Sequence, residues 1–431
     1  MVKTLFSSWP LFLGMTVLML GNGLQGSLLG VRASIENFPT TVTGLVMSAF
    51  YLGLLFGSMM TPRFIARVGH IRVFAAFAAI ASASVLVHPI VAEPVIWAVL
   101  RAITGFSFAG LYIVAESWLN AESSNRDRGQ ILSLYMLFSW ASMAGGQLLL
   151  NVADPGGFVL FTVVSVLVSI DVVPMLLYAS PAPTQGAGTS MTLRELFRAS
   201  PLGLFGSFSS GFISGALFSL GAVYGRLIGL DLKTISFLMA AVVLAAMVFQ
   251  WPLGWLSDRL DRRQIMISTA LLATLAGVAG ALIAGSLAPF SLVVIAAFSL
   301  PLYSIAIAHT NDYLDTEQIV AASSGLMMAN GIGAVAGPLV ASSLMDILGP
   351  PGLPLTIGGI GFSLVCFGLY RMSQREAKPI DEQGPSVLVG TATPVATRLA
   401  QEAATEYLET SDADSTDHES APLARPRAEL V

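Results

Sequence analysis

The chain has 431 residues, 55% of them hydrophobic and only 11% charged, with a mean hydropathy of +0.76. Soluble domains carry about 25% charged residues, and a soluble chain this oily would expose large apolar patches to water, so that class is excluded. The net charge of −5 belongs to the C-terminal end: eleven acids and four bases lie from Glu376 onward, against fifteen acids and seventeen Lys or Arg before it.

The apolar residues come in long runs. Segments 73–87, 158–170, 235–249 and 265–284 hold no charged residue at all, and strict two-residue alternation is absent, which argues against a transmembrane β-barrel. The composition therefore predicts an all-α membrane protein with spans of about 20 residues each. In chain order, with Pro, Gly and charge clusters as punctuation, twelve transmembrane helices are expected. In the first half they lie at 9–31, 41–62, 71–92, 95–119, 129–151 and 157–179. In the second half they lie at 201–225, 234–255, 265–284, 288–310, 319–346 and 353–371. The first of these follows one lysine and lacks a small-residue cleavage site, so it reads as a retained span rather than a removed signal peptide. The implied domains are a six-helix bundle over 1–179, a cytoplasmic central loop over 180–200, a second six-helix bundle over 201–373, and an acidic tail over 374–431. The tail contains "TSDADSTDHES" and "APLARPR", too polar and proline-broken to build a core, and is expected to be disordered.

An even number of spans puts both termini on one side. If that side is the cytoplasm, thirteen Lys or Arg fall on inner segments and three (Arg32, Arg226 and Lys233) on outer ones. This positive-inside bias fixes the orientation. The single cysteine, Cys366, excludes an internal disulfide and any cysteine-rich metal site. No Gly-rich loop ends in Gly-Lys-Ser/Thr, so no ATP-driven engine is expected. The two halves echo each other: "AESWLN", a short charged turn and "RGQILSLYMLFSWASMAGGQLLL" in the first, "AHTNDYL", a short charged turn and "SSGLMMANGIGAVAGPLVA" in the second. Weak internal repeats of this kind mark a transporter with its site near the midplane between two related bundles.

Charges inside the spans are expensive and are functional candidates by default. Arg101 lies about 10 Å into span 4 at 1.5 Å rise per residue, on one face with Gly105, Phe108 and Tyr112. It could bind an anionic group or tune a proton site, or be a structural arginine on helix-end carbonyls. Asp171, in mid-span 6, is a candidate proton carrier because desolvation disfavours a charged carboxylate. Glu116 sits at the inner end of span 4, and His309 and Asp312 stand at i and i+3 at the inner end of span 10. Both places read as interfacial ion networks able to reach water, although a His–carboxylate pair could also sense pH. Neither offers a third ligand, so no metal or other cofactor is expected. Polar uncharged residues in oily spans form the candidate substrate set with Arg101 and Tyr112: Asn22, Gln25, Tyr51, Trp140, Gln147, Ser210, Ser214, Gln250 and Asn330. Singly, each is as well explained by hydrogen bonding between helices.

The stretch "GWLSDRLDRRQ" carries Gly254, Asp258, Arg259, Arg262 and Arg263. It resembles the loop signature G-x-x-x-D-R-x-G-R/K-R/K of the major facilitator superfamily of secondary transporters, with Asp261 in place of Gly. The copy after span 2, "PRFIARVGHIR", is degraded: Pro62 and Ala66 stand at the Gly and Asp positions, while Arg67, Gly69 and His70 remain. Arg101 and Gly105 match the family's R-x-x-x-G of span 4. The resemblance covers roughly 9–373, and the blocks "GHIR", "ESWLN", "AHTND" and "SSGLMMANGIGAVAGP" look most like the YcaD-like bacterial branch. It implies two pseudo-symmetric six-helix bundles and alternating access. Gate residues would be Arg67, Glu116, Arg128, Gly254, Asp258, Arg259, Arg262, Arg263, His309 and Asp312, with Asp258 as a latch on the inner side. The family's drug/proton antiporters carry a proline-containing glycine motif in span 5. Here span 5 has "AGGQ" without proline, while span 11 has Gly333, Gly337 and Pro338, which weakens an efflux assignment.

The expected function is proton-coupled movement of a small solute across a bacterial inner membrane, through Arg101 with Asp171 or another carboxylate. The expected partners are the solute, protons and the bilayer; nucleic acid is not expected, and the chain is expected to be a monomer. The alternative is a non-transporting sensor or assembly factor that signals through its tail. An embedded enzyme is not expected, since no nucleophile–base pair or cofactor loop supports one.

Overall fold

The computed structural model describes residues 9–122, 128–177, 191–283, 287–376, 378–379 and 383, and among them it contains helices and turns but no strand. In the first half the helices are α1 (Trp9–Ile35), α2 (Thr40–Val68), α3 (His70–Val87), α4 (Pro94–Glu122), α5 (Arg128–Leu148), α6 (Val159–Ile170) and α7 (Val172–Leu177). A short helix α8 (Leu193–Ala199) follows. The second half holds α9 (Pro201–Leu227), α10 (Leu232–Ser257), α11 (Arg262–Leu282), α12 (Phe290–Ser299), α13 (Leu302–Asn311), α14 (Thr316–Leu348) and α15 (Gly352–Gln374). The proposed tail lies almost wholly outside the described residues.

Among the described residues eleven helical segments are long and apolar enough to cross a membrane, where the sequence pattern predicts twelve. The segment that falls short is α5, which is 21 residues long but carries Arg128, Gln130, Gln147, three serines and three glycines along its length. Two spans are broken. The sixth is interrupted at Asp171, between α6 and α7, and the tenth at Leu300 and Pro301, between α12 and α13. Pro301 has no N–H to give the preceding turn, which accounts for the second break. Pro338, by contrast, sits inside the continuous α14.

Local rules explain the turns. Asn37, at φ 59°, ends α1 in the left-handed region that Asn tolerates. Gly69, at φ 86°, is all that separates α2 from α3, so "PRFIARVGHIR" is largely helical rather than a loop. The central connection also holds order that its polar composition does not announce. Thr192 accepts from the Glu195 backbone while Glu195 reaches back to Thr192, a reciprocal cap that starts α8. Leu196 of α8 is buried, and the Met191 N–H donates to Ala321 O at 3.0 Å, so this segment is seated on α14.

In the first half α2 packs on α4, α4 on α3, and α1 on α5 and α6. In the second, α9 packs on α14, and α11 on α12 and α15. The halves meet chiefly along three seams: α2 with α14, α5 with α10, and α1 with α9. The hydrogen bonds across these seams gather toward one end. The Thr41 N–H and hydroxyl donate to Asp346, Ser48 Oγ to Val335 O at 2.9 Å, Ser236 Oγ to Gln147 O at 2.9 Å, and Asn151 Nδ2 to Ser236 Oγ at 2.7 Å. The loop of Asp258 to Asp261 lies at the opposite end.

Candidate functional site: a cavity between the halves

Where the three seams meet, a cavity of about 200 Å³ is enclosed by residues of both halves. Nine of the eleven expected substrate residues line it: Asn22, Tyr51, Arg101, Tyr112, Trp140, Gln147, Ser210, Ser214 and Asn330. They come from α1, α2, α4, α5, α9 and α14, so no single half builds the site. Two expected residues point elsewhere. Gln25 is buried with neither amide atom hydrogen-bonded among the described residues, and Gln250 donates to Ser304 Oγ at 2.7 Å within the second half.

The lining also includes residues that sequence reasoning missed. Ser139 and Met143 share the α5 face of Gln147, four residues apart in turn, a stripe that the helical period could have revealed. Tyr303 and Leu300 enter from the break within span 10, and Phe50, Ser219 and Phe218 join the wall. Phe218 lies 6.5 Å from Trp140, ring to ring, across the seam between the halves.

Among the described residues, Arg101 is the only charged one that lines the cavity. It is buried, and its guanidinium lies over the Phe50 ring, 4.2 Å from the centroid. A cation over an aromatic face is stabilised by the ring quadrupole, but this leaves the in-plane N–H groups unused. No hydrogen bond or ion pair joins Arg101 to any described residue, and its Nε is buried without a partner. Gly105 explains how α2 comes close enough to place Phe50 there. A Cβ at Gly105 would collide with the Phe50 carbonyl, and Gly53 faces the Ala102 backbone in the same way. Phe108 stacks edge-on against both Phe50 and Tyr112, which fixes the rest of the α4 face.

Asp171 is buried at the break in span 6 and does not line the cavity. Its carbonyl abuts Gly14 of α1, and neither carboxylate oxygen has a side-chain partner among the described residues. Glu116 is buried too, which corrects the expectation that this helix-end charge reaches water. It lies one turn beyond Tyr112 and accepts a hydrogen bond from the Tyr135 hydroxyl at 3.1 Å. Tyr112, which lines the cavity, lies beside Asn22.

At the end opposite the inter-half hydrogen bonds, the expected gate residues form a second cluster. Arg262 is buried, donating to Asp312 at 2.5 Å, Asp258 at 3.0 Å and Ala308 O at 3.1 Å. His309 and Asp312 were expected to pair and to reach water; both are buried, Asp312 binds Arg262, and His309 packs edge-on against Tyr313 at 5.1 Å. Tyr313, Arg263 and Arg375 surround His309 at this helix end, and Lys378 Nζ donates to Asp312 O at 2.7 Å. Arg263 is held by Asp261, 2.8 Å away, and donates to Arg375 O at 2.8 Å. Gly254 is buried where α10 reaches the loop, while Arg259 is exposed and lies over the Trp255 ring at 3.9 Å. Arg67 is exposed in the last turn of α2. The side chain of Arg128 lies outside the described residues. Among those residues no group of three or more His, Cys, Asp or Glu could hold a metal ion.

Eleven candidate spans among the described residues and a cavity shared by two halves define a polytopic helical membrane protein. Residues 11–315 and 228–408 match the profile of the Major Facilitator Superfamily, and the chain belongs to that family. It is 26% identical over 369 residues to the MFS-type transporter YcaD of Escherichia fergusonii, covering 85% of this chain and 96% of that one. The fold also matches the nucleoside transporter NupG, with a TM-score of 0.71 at 14% identity over 87% of this chain and 100% of NupG. A bacterial homologue of the lysosomal transporter Spinster, in an inward-facing and unoccupied conformation, gives a TM-score of 0.66 at 15% identity, covering 96% and 98% of the two chains.

Proposed function

We propose that this protein is a proton-coupled secondary transporter of the bacterial cytoplasmic membrane, which moves a small solute by alternating access between two six-helix bundles. The observation that carries this reading is the cavity itself: both halves line it, and Arg101 faces it without a counter-charge. In this reading α5 is the twelfth span. It is sandwiched between α1 and α10, and its Ser139, Ser142 and Gln147 are buried among neighbouring helices rather than turned to lipid. Both termini are cytoplasmic, as the excess of Arg on the 63–72, 194–198, 259–263 and 371–375 segments requires. The seams are hydrogen-bonded at the opposite, outer end, so the conformation is inward-facing. Arg262, Asp258 and Asp312 tie α10, α11 and α13 together at the inner end, and in this scheme they belong to the gate that closes that side.

Asp171 is the proton carrier in this scheme, because a buried carboxylate with no side-chain partner is held only as long as something neutralises it. The test uses protein reconstituted in liposomes with a panel of small solutes, under an imposed pH gradient. Expected is solute accumulation that a protonophore collapses. Asp171→Asn should lose accumulation while keeping solute exchange at equal concentrations on both sides. Accumulation that survives in Asp171→Asn with the same dependence on the gradient would remove Asp171 from the cycle. Flux indifferent to the gradient in the unmodified protein would remove proton coupling.

A further inference from the structure

The chemistry of the cavity narrows what the solute is. We propose that it binds a small organic monoanion: a carboxylate on an apolar or aromatic body, with its charged head on Arg101. This rests on the transport reading only in taking the cavity as the solute site.

Charge sets the first limit. Arg101 is the only charged residue lining the cavity, and no acid lines it among the described residues. A cationic solute would meet an uncompensated guanidinium in a low-dielectric space, and the like charges would repel strongly there. A neutral solute would leave the guanidinium as costly as it is now. One negative charge balances the site. A second would have no partner on the wall.

Geometry sets the second limit. The face of the guanidinium is occupied by Phe50, at 4.2 Å, so the ligand must approach in the plane of the fork. A planar carboxylate takes two parallel N–H bonds from such a fork. Tyr51 lies close enough to Arg101 to interact with it electrostatically, and its hydroxyl can hold the outer lone pairs of the same carboxylate. Away from Arg101 the wall is largely apolar and soft: Met19, Leu54, Met143, Trp140, Phe218 and Met327. Thioethers and aromatic rings of this kind adapt to an apolar body rather than to a polyhydroxylated one. Three amides and seven hydroxyls are set among this apolar area and would orient the ligand; Asn330 and Gln147 each already hold one protein partner.

The test is a binding measurement on purified, detergent-solubilised protein, so it does not depend on transport. Matched triplets are compared by ligand-induced thermal shift and titration calorimetry: benzoate, benzamide and benzylamine, and hexanoate, hexanamide and hexylamine. Succinate and inorganic phosphate serve as dianion and non-carboxylate arms. The acids should bind at least about tenfold more tightly than their amides, because the amide leaves the buried guanidinium unpaired. The amines should not bind. Arg101→Gln should erase the preference of acid over amide, while Arg101→Lys retains part of it.

The proposal is overturned if no acid binds, if amides or amines bind as tightly as the acids, or if succinate or phosphate binds better than either monoacid. It is also overturned if Arg101→Gln folds and keeps the acid preference. The triplets in the unmodified protein decide the matter even if that variant fails to fold. Acid that binds but does not exchange across liposomes would defeat the transport reading and leave this one standing. Exchange of a neutral solute independent of Arg101 would do the reverse.

Discussion

Arg101 and Arg262 are both buried arginines in an oily protein, one in each half, yet their surroundings differ in kind. Arg262 has two carboxylates and a carbonyl within hydrogen-bond distance. Arg101 has the face of one phenylalanine ring. A buried cation surrounded by acids has its balance inside the protein and serves the fold or a gate. One without them has its balance outside the protein, in whatever enters the cavity. The same residue type at similar burial thus marks two roles, and the partner list decides between them.

The largest test of this contrast removes a partner. Asp312→Ala takes from the buried Arg262 its most deeply buried carboxylate partner among the described residues, and should cost about 3–5 kcal/mol. A large fall in the thermal unfolding midpoint of the purified protein would show it. The mirror change is Arg101→Met, which deletes a buried charge with no protein partner and replaces it with an apolar chain of similar length. Its unfolding midpoint should stay level or rise, because no buried group loses a partner. Equal destabilisation by both changes would mean that Arg101 has a structural partner after all, and the contrast would fail.

A second test acts on the support of Arg101 rather than on its charge. Gly105→Ala would push a methyl group into the Phe50 carbonyl, which is backbone and cannot step aside as a side chain could. The change should cost roughly 1–3 kcal/mol, in the range of overpacked cores. It should also weaken acid binding by moving the ring beneath the guanidinium. Gly359→Ala is the control, since a Cβ there meets nothing within 4 Å. If Gly105→Ala matches that control in both stability and binding, the close approach of α2 and α4 does not position Arg101.

Much of this was legible in the sequence because membrane chemistry is restrictive. An asparagine, serine or tyrosine among apolar residues has few places to go, and Asn22, Tyr51, Ser210 and Asn330 went to the cavity. Gln25 and Gln250 were indistinguishable from these by type and depth. Only helix rotation separates a residue facing the cavity from one facing a neighbour, and that is set by packing of the whole assembly. Glu116 and Asp312 were misplaced for a related reason. Helix-end charges normally reach water, but here Tyr135, Tyr313 and the chain after α15 cover those ends. The short helix α8 had a visible signal in Thr192 and Glu195, three residues apart before "LFRAS", which reads as a capping box. The break at Pro301 had one too. That at Asp171 had none in its own residue type, since Pro174 comes later and lies within α7.

The smallest test concerns the position where this chain departs from its family's loop pattern, with Asp261 in place of glycine. The substitution gives α11 an N-cap: Asp261 accepts from the Arg263 N–H at 2.9 Å and also holds the Arg263 guanidinium. Burial works to raise the carboxyl's pKa, but these hydrogen bonds and the Arg263 charge outweigh it and hold the group below the ordinary aspartate range. A carboxyl depressed by folding stabilises fully above its unfolded pKa and loses that contribution as pH falls through its folded one. Asp261→Ala should therefore cost about 1 kcal/mol near neutral pH, as lost caps do. The gap between the two proteins should hold as pH falls to the ordinary aspartate range and narrow only below it. Thermal unfolding of both across that range reads the difference. A gap that instead changed near pH 6 would mean that a group other than the Asp261 carboxyl sets it. Such a result would shift this corner of the second half from a pinned cap to a pH-sensitive contact, and would make the Arg262 cluster beside it less purely structural than the comparison with Arg101 holds.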